Sequence, residues 1–316
     1  MVFSSLKAGL AKVLANKRIL VTFYLANLLF AFLLMLPMRI GLGSFLGDSG
    51  AVRNLSNGLD FPLVHEFFKS NQSMFSIIIV MLAVVALVYW IVNLFLSGGA
   101  FAVFSSNAAY SRDTFWGGCG KFFGRFFRLG LLFIPVAGLL LLSDAIWAYL
   151  PKIFYGDDVP GSVEYWLSGF RVFWRGFILI IAFVIFDYSR IYTVFTDERS
   201  AWKALRRGTG FVLSNIRRTI TLGFAFYLLS ILLVLGYAPI ADALSAPSAF
   251  IILLLFVLHQ LFMLVRMIFR LALYGGETSM YERLGGDTTP AGPYIDEVKI
   301  DDFYATGADP EAPSTA

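Results

Sequence analysis

One pattern, met three times, most constrains this chain: a basic, aromatic-containing segment runs without a break into a long apolar stretch. It occurs at Lys17-Arg18 before Ile19, at Arg128 before Leu129, and at Arg217-Arg218 before Thr219. A second apolar stretch follows each first one, so the chain reads as three hairpins of membrane-crossing helices. In lipid, backbone N–H and C=O groups must be bonded within the spanning segment, which for an open chain means helix. The fold class that follows is all-α: a polytopic transmembrane helical bundle of about six spans in three hairpins, with basic interfacial helices.

Composition agrees with this reading. Of 316 residues, 58% are hydrophobic and 15% charged, whereas soluble domains carry about a quarter charged residues. Crossing the bilayer core takes about 20 predominantly apolar residues. Segments 19–37, 74–97, 129–150, 219–241 and 248–272 meet that condition outright. The segment 170–195 is weaker, with Arg175 at one end of its uncharged centre and Asp187 and Arg190 at the other. Long side chains at such positions reach the two interfaces. The first span is too long and too strongly flanked to be a cleaved leader.

Lys and Arg are unevenly divided among the loops. One side collects Lys7, Lys12, Lys17 and Arg18, then Arg112, Lys121, Arg125 and Arg128, then Arg190, Arg199, Lys203, Arg206, Arg207, Arg217 and Arg218. The other holds Arg39, Arg53, Lys69, Lys152 and Arg171, with Arg175 at its edge. The excess marks the cytoplasmic side of a bacterial inner membrane, and it places both termini there. Residues 285–316 turn to Gly, Pro, Thr, Asp and Glu, and form an acidic tail that cannot bury a core. A short amphipathic piece, 64–69, lies in the first outer loop.

The basic loops are patterned. Over Arg199–Arg218, Lys203, Arg206, Arg207, Arg217 and Arg218 share one helical face, opposite Trp202, Leu205, Thr209, Val212 and Ile216; Thr196 or Asp197 supplies the N-cap. Lys121, Arg125 and Arg128 form a second stripe, opposite Trp116, Phe123 and Phe127. These eight cations are the expected contacts to anionic lipid headgroups. At the N-terminus, Val13-Leu14-Ala15-Asn16 matches Val212-Leu213-Ser214-Asn215, so interfacial helix plus hairpin is read as a threefold repeat.

These basic helices entering apolar hairpins, the Asp187-Tyr188-Ser189-Arg190 stretch, and Arg270-Leu271-Ala272-Leu273-Tyr274 at the close of the last span carry a resemblance. The chain up to about residue 284 resembles a bacterial multi-pass family related to the membrane domain fused to some glycerophosphoryl diester phosphodiesterases. That resemblance implies an architecture and no catalytic residue, since the phosphodiesterase domain is absent.

Motifs for chemistry are few. Gly117-Gly118-Cys119-Gly120-Lys121-Phe122 lacks both the Ser or Thr of a phosphate-binding loop and the strand before it. One cysteine, Cys119, and two histidines exclude a disulfide framework and most metal or haem sites. No catalytic constellation, cofactor or metal is expected, and no nucleic-acid partner. What remains is polar residues at membrane depth: Asn27, Asn93, Asp144, Arg175, Asp187, Arg190, His259, Gln260 and Arg266. Asp144 would pair with Arg171 or Arg175, and Asp187 with Arg190 or Arg266; Asn27 and Asn93 would tie helices together. The expected function is non-enzymatic. It combines anionic-lipid binding through the interfacial helices with a scaffold role toward a cytoplasmic partner of the tail. The alternative is a small transporter or lipid-handling protein, with a polar pathway through Asp144, Asp187, His259 and Arg266.

Overall fold

A computed structural model describes residues 2–47, 72–106, 109–156, 158–244 and 248–286. The loop piece at 64–69, the tail from 287 and the side chain of Asp144 lie outside the described residues. The helices are α1 (Val2–Ala15), α2 (Lys17–Gly47), α3 (Gln72–Ser106), α4 (Arg112–Tyr155), α5 (Gly161–Thr196), α6 (Ala201–Ser214), α7 (Ile216–Ala243) and α8 (Ala249–Arg283), and no strand occurs among the described residues. The bundle is all-α, as expected.

Among the described residues, five helices are long and apolar enough to cross a membrane: α2, α3, α5, α7 and α8. The fourth expected span, weakened by Arg175, Asp187 and Arg190, is among them. The third, 129–150, lies in α4, where several side chains fall outside the described set. The chain is therefore a multi-pass helical membrane protein. Its core sits at one end, where α2 and α7 begin and α3, α5 and α8 finish, in the buried runs 96–104, 186–195 and 271–281. Toward the other end large apolar side chains such as Leu29, Val84, Leu235 and Leu253 are exposed. Lipid tails are as apolar as leucine, so that exposure carries no hydrophobic penalty.

The buried, basic end is built by one device used three times. Each short or leading helix lies across a long span by way of a glycine. Gly9 of α1 meets α8 so closely that an added Cβ would stand 2.6 Å from Gly276 N. Gly118 of α4 meets α3, where a Cβ would stand 2.5 Å from that of Ala102. Gly208 of α6 meets α5, where it would stand 2.6 Å from Ser189 Cα. In each case only hydrogen fits between the backbones. The partner is always the span that precedes in the chain, and α1 takes the last one, α8. The repeat thus closes into a ring.

The joints between lying and spanning helices also repeat. Asn16 N donates to Val13 O (3.0 Å) and Ile19 N to Asn16 O (3.0 Å), while Asn16 Nδ2 donates to Lys12 O at 2.8 Å. Asn215 N donates to Val212 O (3.2 Å), Arg218 N to Asn215 O (3.0 Å), and Asn215 Nδ2 to Phe211 O at 3.2 Å. An asparagine amide bonded to the carbonyl four residues back satisfies the last turn while the next helix starts. The middle copy has no joint: α4 runs on through Leu129 without a break.

Two expectations are corrected. The single helix expected over Arg199–Arg218 breaks at Asn215, so Arg217 and Arg218 stand in the first turn of α7. Neither Thr196 nor Asp197 caps α6. α5 runs through Thr196, Asp197 turns into the left-handed region (φ 53°), and Ser200 is the cap, its side chain accepting from Lys203 N at 3.4 Å. Aspartate tolerates the left-handed region because its short carboxylate bonds locally.

Candidate functional site

Polar chemistry concentrates in a cavity of about 490 Å³ inside the basic half of the bundle, walled by α2, α3, α5, α7 and α8. Helix spacing places it. Asn27 follows Arg18 by nine residues, and Tyr227 follows Arg218 by nine, which at 1.5 Å per residue is about 14 Å along each helix. Both line the cavity.

Arg190 anchors one wall. It is buried and forms an ion pair with Asp187, one turn earlier on α5. Its Nη1 donates to Ser97 Oγ of α3 at 3.0 Å. The guanidinium also lies over four rings: Phe186 (4.5 Å), Phe101 (5.0 Å), Tyr274 (5.1 Å) and Phe126 (5.8 Å). Aromatic faces carry negative charge and partly replace the water that burial removes. Between the two partners left open for Asp187, the geometry selects Arg190. The Nε of Arg190 has no hydrogen-bond partner.

The opposite wall is α8. Arg266, Arg270 and Tyr274 recur at four-residue spacing and line the cavity, as a helical face requires. Arg270 Nε donates to Tyr274 Oη at 3.3 Å. Arg266 makes no hydrogen bond, ion pair or ring contact among the described residues. Beyond Tyr274 comes Glu277, wholly buried, with no hydrogen-bond partner for either carboxylate oxygen. Buried polar atoms without partners are uncommon in native structures; Ser5 Oγ and Tyr188 Oη share this state.

The remaining polar residues divide. Tyr89 Oη donates to Asn27 Oδ1 at 2.6 Å, so Asn27 ties α2 to α3 as expected, and Tyr24 Oη donates to Gln260 Oε1 at 2.6 Å. Asn93 Nδ2 bonds only within its own helix, to Tyr89 O, and lines the cavity; it does not serve as an interhelical tie. His259 is exposed and meets Tyr237 Oη at 3.2 Å, outside the cavity. Arg175 stands twelve residues before Asp187 on α5 and is also outside. Of the expected pathway through Asp144, Asp187, His259 and Arg266, the cavity brings Asp187 and Arg266 together and His259 stands apart, while the Asp144 side chain lies outside the described residues.

At the basic end a second depression, about 740 Å³, is lined by Lys203, Arg206 and Arg207 of α6 together with Tyr192, Phe211 and Tyr281, and by Gly285 and Gly286 after α8. The eight expected headgroup residues behave differently there. Lys121 and Arg125 hold Asp197 at 3.1 and 2.6 Å, and Lys203 holds Glu198 at 2.6 Å. Arg128 Nε donates to Gly124 O at 3.1 Å. Arg206, Arg207, Arg217 and Arg218 make no side-chain bond among the described residues. Burial is the largest single influence on the Asp197 carboxyl and raises it, but the hydrogen bonds and charges of Arg125 and Lys121 together outweigh it and hold it below its ordinary value. Cys119 is buried in the glycine contact of α4 with α3, and burial pushes its thiol up to about 12. It has the character of a packing residue.

The structure defines a helical membrane protein with an arginine-lined cavity beneath a basic surface. No family model, no curated protein and no solved structure matches this chain. Arg270, Tyr274 and Glu277 escape a reading of single charges, although their spacing from Arg266 along one face of α8 is plain in the sequence.

Proposed function

We propose that this is a non-enzymatic protein of the bacterial inner membrane, with both termini cytoplasmic, that binds anionic lipid headgroups at its basic end. The observation that carries the reading is the depression on α6. Arg206 and Arg207 make no side-chain bond among the described residues and stand beside the aromatic rings of Tyr192, Phe211 and Tyr281. Each basic residue near an anionic surface adds about 1 kcal/mol of attraction. Gly285 and Gly286, the last described residues before the acidic tail, line the same depression. A protein partner of the tail would therefore act next to the lipid site, which suits a scaffold. The resemblance to phosphodiesterase membrane domains agrees with this architecture and adds no activity to it.

The test is lipid selectivity. In vesicles of mixed phosphatidylglycerol and phosphatidylcholine, spin-labelled phosphatidylglycerol should be enriched at the wild-type surface. The enrichment should fall in R206Q/R207Q/R217Q/R218Q and weaken with salt. Equal occupancy by the two lipids, or selectivity untouched by the four changes, contradicts the proposal. A small transporter or lipid-handling protein is the second reading, favoured by the cavity; solute flux in the same vesicles would support it.

A further inference from the structure

Cations inside a bundle at membrane depth are costly and are ordinarily paired or turned to water. The cavity breaks that rule in one place. Its lining holds three guanidiniums, Arg190, Arg266 and Arg270, against one carboxylate, Asp187. Asp187 is already spent on Arg190. Arg270 has a phenol as partner, Arg266 has none, and the buried Arg190 keeps an unpartnered Nε. Arg266 and Arg270 are accessible from the cavity and lie four residues apart on α8, so two forked donors share one helix face and one cavity. Apolar side chains such as Trp90, Phe183, Phe226 and Met267 share the remaining walls with Asn93 and Ser230. A volume of about 490 Å³ lies within the roughly 300–1,000 Å³ of small-molecule pockets.

We propose that this cavity is a binding site for a single oxyanion carried on an apolar body, gripped by Arg266 and Arg270. Phosphate is the best match, because two guanidinium forks offer parallel donors to its oxygens. The anion supplies a countercharge that the cavity lining, which does not include Glu277, fails to offer Arg266 and Arg270, and the aromatic and methionine side chains take the body. The site goes beyond the headgroup binding proposed above and does not depend on it, since none of its residues lines the basic-end depression. Two sources share this chemistry: the headgroup of an anionic lipid, and a free alkyl phosphate.

Calorimetric titration of the full-length protein in neutral detergent decides the matter, with hexyl phosphate, inorganic phosphate and short-chain phosphatidylglycerol as probes. Hexyl phosphate or phosphatidylglycerol should bind the wild type and weaken by more than about tenfold in R266Q/R270Q. R206Q/R207Q should bind hexyl phosphate as the wild type does and lose only surface-held phosphatidylglycerol, so failure of the headgroup reading and failure of this one are told apart. Binding of phosphatidylglycerol alone names a lipid as the source; binding of hexyl phosphate, with competition by inorganic phosphate, names a free anion. Without ligand, the single variant R266Q should melt no lower than the wild type, because Arg266 makes no bond among the described residues. The proposal is overturned if no probe binds the wild type, if R266Q/R270Q binds the probes unchanged, or if the unliganded melting temperature of R266Q falls.

Discussion

Asp197 and Asp187 each answer arginine, and the difference between their surroundings separates the two halves of this molecule. Asp197 sits in an exposed linker, shared by Lys121 and Arg125 of a neighbouring helix, and tightens the joint between α5 and α6. Asp187 is buried, serves Arg190 alone, and leaves two further arginines of the same cavity without a carboxylate. The first arrangement uses charge to position a surface helix. The second keeps positive charge in excess on a cavity wall, where Arg266 and Arg270 are exposed, and so leaves room for an external anion.

The comparison breaks most sharply at Asp187. Asp187→Asn leaves Arg190 buried without a countercharge and should cost about 3–5 kcal/mol, measured as denaturant unfolding in detergent. D187N/R190M should recover much of that loss. If D187N unfolds like the wild type, the buried pair is not what holds that wall.

A smaller effect is expected where the basic end is fastened by glycine. Gly9→Ala, Gly118→Ala and Gly208→Ala each force a methyl into facing backbone or side chain and should cost about 1–3 kcal/mol. Gly124 has nothing within 4 Å of an added Cβ, so Gly124→Ala should be neutral or stabilise by up to about 1 kcal/mol. Thermal melts of the four variants test the ring arrangement; equal shifts would remove the distinction.

The smallest change is expected at Asp197. Asp197→Asn should lower stability by less than about 1 kcal/mol, as exposed ion pairs do. Because the carboxyl is held below its ordinary value when folded, its contribution is present above the unfolded value, about 3.9. It fades as pH falls through the lower, folded one. The melting difference between wild type and D197N should therefore be visible at pH 6 and shrink below pH 4. A difference that grows on acidification contradicts the assignment.

Much of this architecture is legible in the residues. Apolar length gives the spans, and the Val-x-x-Asn match at Asn16 and Asn215 marks the joints, because an asparagine amide can bond back one turn. The pairing of Asp187 with Arg190 is available from their three-residue spacing. Which long helix each lying helix crosses is not readable, because Gly9, Gly118 and Gly208 carry no partner label; their function is a close approach that only the fold reveals. The cavity is legible in part. Arg266, Arg270 and Tyr274 mark one face of α8, but Asn27, Tyr89 and Tyr227 join them only through packing at matched distances from the basic end. His259 misleads for the opposite reason, since depth in a span says nothing of which side the ring faces.

The central claim is that two classes of cation meet anions here, one at the surface and one within the bundle. Salt separates them, since charges on the open surface are screened beyond about 8 Å at physiological ionic strength, and charges lining a cavity at membrane depth far less. The decisive measurement is bound phosphatidylglycerol per protein, followed as salt is raised, in the wild type, R206Q/R207Q/R217Q/R218Q and R266Q/R270Q. The account predicts a salt-sensitive fraction that disappears in the surface variant and a salt-resistant fraction that disappears in R266Q/R270Q. A single salt-sensitive fraction, unchanged in R266Q/R270Q, would contradict it.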